Sequence, residues 1–159
     1  MRLLICSLFL FGSSHFTFAQ NQEKAKSEIL DVLTDFFEVF THPNMKYFDK
    51  NCSSDFQLLE NGEVRTRREI QTYVDKMNSK PLTFERSNSF EFIQTNIRGN
   101  FAWVNYKNTA KIRFLSDDSI KMKYWLESII LEKSGGKWAI HQMHSTPINN
   151  LLFLFSFTI

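Results

Sequence analysis

Two residues in the stretch YWLESIILEKSGGKWAIHQMHS, Glu127 and His144, are of types that together move protons. A carboxylate beside an imidazole raises the imidazole pKa, and a histidine poised near neutrality both takes and gives a proton. Gly135-Gly136 reads as the central pair of a hairpin turn, a register that sets Glu127 opposite His144 with β-carbons about 5 Å apart. Trp125, Ile129, Ile140 and Gln142 then share their face, because side chains alternate along a strand. His141 and Ser128 point the other way, so His141 and His144 are not neighbouring metal ligands and no metal or cofactor is expected. A preceding turn centred on Asp117-Asp118 sets Asn108 opposite Glu127 and Tyr106 opposite Ile129, again on that face. An apolar wall with a few convergent polar groups is the composition of a ligand cavity. The pair admits three roles: a hydrogen-bonded brace in the core, orientation of a ligand, or acid–base catalysis. Glu127 and His144 are therefore the candidate catalytic pair. Tyr106, Asn108, Trp125 and Gln142 are the candidate ligand contacts, with Tyr47 expected either near the cavity mouth or packed in the core.

The helices and strands that carry these residues are legible in the periodicities. From Glu23 to Thr41 the residues Ile29, Leu33, Phe36, Phe37 and Phe40 recur at spacings of three and four, which predicts a long amphipathic helix. His42-Pro43 ends it, since the residue before proline is pushed out of helical geometry. Asn44 caps a short second helix carrying Tyr47. Thr66-Arg67-Arg68-Glu69 is a capping box that opens a third, whose stripe is Ile70, Tyr73, Val74 and Met77. Between the last two helices, DFQLLENGEV alternates and turns at Asn61-Gly62, a strong hairpin signal. After Pro81, four β-branched and aromatic runs separated by short turns predict an antiparallel meander. Helices first and a curved antiparallel sheet afterwards make an α+β fold with the helices on one sheet face.

The chain has 159 residues and a net charge of +2, with no block of like charge. Nucleic acid is excluded as an expected partner, because such proteins carry a basic face or stripe. Residues 1–19 read as a secretory signal, with Arg2, an apolar run from Leu3 to Phe11 and small residues up to Ala19. The run is too short to span a bilayer, for which roughly twenty apolar residues are needed, so no stable membrane anchor is expected after cleavage. The expected product is exported, periplasmic or extracellular, and forms one domain over 20–148 followed by an apolar tail over 149–159. Cys52 is then the sole cysteine, and an inert thiol is expected.

The first helix, YFDKNCSSDFQLLENGEVRTRREIQTYV, IRGNFAWVNY and ESIILEKSGGKWAIHQMHS together resemble the nuclear transport factor 2-like superfamily, specifically its SnoaL-like and ketosteroid-isomerase-like bacterial members. The resemblance covers about Glu23 to Pro147. It implies a cone of about three helices against a strongly curved sheet, a cavity between them, and a homodimer through the outer sheet face. Ketosteroid isomerases use an Asp base, a Tyr and a protonated Asp. This chain offers no matching set, having Glu127 where an aspartate would stand. Because this fold hosts many activities, the expected function is binding of a hydrophobic small molecule. An isomerase, cyclase or dehydratase using the Glu127–His144 pair, and a non-catalytic interaction module, are the alternatives.

Overall fold

The computed structural model describes residues 13–148, so the expected tail and most of the expected signal lie outside the described residues. Helix α1 (Ser13–Thr41) starts well before Glu23, and its backbone crosses the expected cleavage site. Its stripe buries as the spacing predicts: Ile29, Leu33, Phe36 and Phe37 all lie in the core. Phe36 is the hub of an aromatic cluster, with ring centroids 5.3 Å from Phe37, 5.8 Å from Phe56 and 6.4 Å from Phe48. The cap of α2 (Met45–Asn51) is Asn44, whose Oδ1 accepts from the Lys46 amide at 2.9 Å.

Strand β1 (Cys52–Glu60) leads directly from α2 and turns into β2 (Glu63–Arg65). The turn residues Asn61 and Gly62 both have positive φ, 54° and 78°, as a two-residue hairpin of matching twist requires. Helix α3 (Arg67–Asn78) opens on its capping box: the Thr66 amide donates to Glu69 Oε2 at 2.8 Å and Thr66 Oγ1 accepts from the Arg68 amide at 3.3 Å. Strands β3 (Phe84–Arg98), β4 (Phe101–Phe114), β5 (Ile120–Ser134) and β6 (Lys137–Pro147) form the expected meander.

The sheet order is β2-β1-β6-β5-β4-β3. Strand β1 lies parallel to β6, so the sheet is mixed rather than wholly antiparallel. That junction gives the otherwise open edge of β6 a partner, and a free edge would be a site for unwanted strand addition. On β4 every second residue from Ala102 to Ala110 is buried, and that face carries the helices. Bulges at Ile93 in β3 and His141 in β6 each place one unmatched residue in the ladder, which sharpens the bend of the sheet. The helices and the concave face of the sheet thus enclose a tapered interior.

Candidate functional site

The bulge at His141 decides the composition of the site. Up to Leu131↔Ile140 the β5–β6 hairpin keeps the register set by its Gly-Gly turn; from Ile130↔Gln142 onward it is shifted by one. A one-residue shift sends side chains to the opposite face. Glu127 therefore faces Ser145, and His144 pairs with Ser128. The expected Glu127–His144 pair does not form. Gln142 and His144 alternate with the inward-facing Met143 and Ser145, and His144 borders a shallow outer depression near the β1–β2 turn. His141 sits between two outer carboxylates, with Nδ1 3.1 Å from Asp55 Oδ1 and Nε2 3.3 Å from Glu132 Oε2.

The β4–β5 register also differs, by two residues, with Tyr106 opposite Glu127 and Asn108 opposite Trp125. The turn is centred one residue earlier than Asp117-Asp118, and each such step moves the pairing by two. A shift of two preserves the face, so Tyr106, Asn108, Trp125 and Glu127 still come together. Tyr47 does not reach them. It packs against the core from α2, with Lys46 Nζ 4.7 Å from its ring centroid.

At the floor of the interior lies Glu127, 5% exposed. Ser145 Oγ donates to its Oε1 at 2.8 Å. Its Oε2 and the buried Tyr106 Oη opposite are both without a hydrogen-bond partner of ordinary geometry. Burial pushes the Glu127 carboxyl up to about 7, overriding the opposing pull of Ser145, Tyr106 and Asn108. The Tyr106 hydroxyl is pushed up too, chiefly by burial and then by the neighbouring carboxylate. Both groups are thus held in their neutral forms more firmly than in water.

A chain of side-chain hydrogen bonds runs from this floor to the wall. Asn108 Oδ1 accepts from Asn88 Nδ2 at 2.7 Å, and Asn88 Oδ1 accepts from Arg86 Nε at 3.0 Å. That fixes the Asn108 amide with its NH2 on the side of the Glu127 carboxyl, whose pKa it helps to lower. The Arg86 guanidinium carbon lies 5.2 Å from the Phe40 ring centroid and 5.7 Å from that of Trp125, distances of cation–π contact. Above the floor is a cavity of about 200 Å³. Leu58, Ile70, Tyr73 and Met143 add apolar wall, and the Glu60–Arg65 ion pair, 3.0 Å, stands on its border.

Ser145, Arg86 and Asn88 were not among the residues expected at the site. A signal for the last two exists in the sequence: Arg86, Asn88 and Phe90 follow Phe84 at alternate positions, so two polar groups occupy the inward face of a strand. Among the described residues no group of His, Cys, Asp and Glu is arranged to hold a metal ion. Cys52 is half-buried, and burial pushes its thiol pKa up, which makes it a poor nucleophile.

The three helices, the curved mixed sheet and the interior between them define the nuclear transport factor 2-like fold, and solved structures share it. A putative scytalone dehydratase from Novosphingobium aromaticivorans superposes with a TM-score of 0.68 at 11% identity, over 82% of this chain and 89% of its own. A ketosteroid isomerase-like protein from Erwinia carotovora gives 0.58 at 14% identity, over 77% and 95%. A conserved protein from Planctomyces limnophilus gives 0.67 at 15% identity, over 79% and 99%. No protein-family model and no curated protein sequence matches the chain. At these identities the likeness concerns the fold alone.

Proposed function

We propose that this protein is exported and binds a small, largely hydrophobic molecule in the cavity between its helices and sheet. The observation that carries the reading is Glu127: a buried carboxyl with an unpartnered oxygen on the floor of an apolar-walled cavity. An unsatisfied buried polar group costs stability, and a ligand hydrogen bond to it repays that cost only when the site is filled. Export is supported by the signal-like residues 1–19, and a homodimer by the apolar outer face of the sheet, where Trp103, Leu126 and Ile130 are exposed.

A second reading, proton transfer on the bound molecule, is favoured by the Glu127 carboxyl lying near 7. At neutral pH such a group is available both as acid and as base. It would act with Tyr106 and Asn108 rather than with His144, as in an isomerisation or dehydration.

Native mass spectrometry of the protein purified from its own host tests the leading reading. A stoichiometric small-molecule adduct on a chain beginning at Gln20 is the expected result; an adduct-free chain that binds no member of a small-molecule panel would overturn it. Glu127→Gln separates the two readings. Lost turnover identifies a base, altered affinity alone identifies a ligand contact, and a change in stability alone removes Glu127 from both.

A further inference from the structure

Arg86 brings into the cavity wall a charge that has no ion-pair partner among the described residues. Its Nε donates to Asn88 Oδ1, an uncharged amide oxygen. Among the described residues no carboxylate lies at ion-pairing distance from its guanidinium. The other charged groups on the cavity border have their own partners: Glu60 pairs with Arg65, and Glu69 accepts from Thr66 and Arg68. Phe40 and Trp125 hold the guanidinium through cation–π contact but supply no anion. Nη1 and Nη2 therefore have no protein acceptor among the described residues, although a guanidinium half-removed from water is normally paired. Burial lowers the Arg86 pKa, while Tyr73, Glu127 and Glu60 oppose this at longer range, and an arginine stays charged throughout.

Resting on the reading of the cavity as a small-molecule site, we propose that its ligand is a small monocarboxylate, bound by the Nη1/Nη2 edge of Arg86. The guanidinium fork matches the two oxygens of a carboxylate, which takes two parallel hydrogen bonds. One cation without a direct ion pair, with Glu127 and Glu60 acting on it at longer range, suits a single negative charge and disfavours a doubly charged phosphate. Ile70 and Met143 face the apolar body. Size narrows the class: a cavity of about 150 Å³ holds a benzene ring, so about 200 Å³ holds one ring or a short chain beyond the carboxylate.

The test is calorimetric titration of the purified protein with phenylacetate, with phenylacetamide, its neutral counterpart of nearly equal shape, and with benzene as a probe of the cavity alone. Phenylacetate is expected to bind at least about tenfold tighter than the amide, the worth of a charge-assisted bidentate contact. In Arg86→Met that preference is expected to vanish, with amide binding changed by less than about threefold. Arg86→Lys, which keeps the charge and loses the fork, is expected to fall between, and it carries the test if the Met variant does not fold. An amide that binds as tightly as the acid in the unaltered protein overturns the proposal and leaves the cavity reading standing. Benzene binding without phenylacetate binding does the same. If none of the three binds, both readings fall.

Discussion

Glu127 is worth following through pH. Its folded pKa of about 7 stands above the 4.5 of an ordinary glutamate, so between those values the folded state holds more proton than the unfolded chain. The sign follows directly: this group's contribution is most favourable below about pH 4.5, is lost progressively as pH rises to about 7, and is constant above. At about 1.4 kcal/mol per unit the swing is on the order of 3 kcal/mol. Urea denaturation at pH 4.5 and 7.5 should show this loss in the unaltered protein and not in Glu127→Gln; equal pH dependence in both would place the carboxyl in the ordinary range. The groups that face it are Tyr106 and Asn108 from β4, Ser145 from β6, Arg86 from β3 and Glu60 from β1. Ser145→Ala removes the donor that steadies the carboxyl, at a cost of about 1–3 kcal/mol. His144→Ala, on the exposed face, should change stability by less than about 0.5 kcal/mol.

At the scale of elements, two short devices hold the site together. The capping box at Thr66 sets where α3 begins, and with it Ile70 and Tyr73, which wall the cavity. Thr66→Ala should cost about 1 kcal/mol in chemical denaturation, because one free amide at the helix start loses its acceptor. The aromatic hub is more demanding. Phe36→Ala should cost about 3–5 kcal/mol, as it opens a void among Phe37, Phe48 and Phe56 that the packed neighbours cannot fill. The bulge at His141 is the second device: one extra residue turns Ser145 toward Glu127 and sends His144 outward.

For the whole molecule the telling surface is the convex one. Trp103 lies directly across from Ile130, which in turn lies across from Gln142, so an apolar pair and a neutral polar residue form one row at the centre of the outer face. In the proposed homodimer this row is covered, and Gln142 and His144 become interface residues rather than ligand contacts. Sedimentation velocity should return a dimer for the unaltered protein and a monomer for Ile130→Glu. A monomer for both would remove the dimer and leave the cavity readings untouched.

Local rules reach far along this chain. Helix α1 follows from apolar spacing, α3 from a four-residue capping signal, and the hairpins from Asn-Gly and Gly-Gly, because each depends on residues only a few positions apart. The face shared by Tyr106, Asn108, Trp125 and Glu127 follows from alternation, which survives a register shift of two. What local rules do not reach is the placement of one unmatched residue. A bulge is settled by how β6 fits β5 on one side and β1 on the other while the sheet curves around the helices. That fit exchanged His144 for Ser145 beside Glu127. The parallel joining of β1 to β6 is likewise a contact between residues about eighty-five positions apart in the chain, and the lack of an ion-pair partner for Arg86 among the described residues is a property of the assembled cavity. Short-range residue patterns thus set the elements and most of the inward face, whereas the polar groups that meet there depend on register and charge pairing, which packing between distant strands settles.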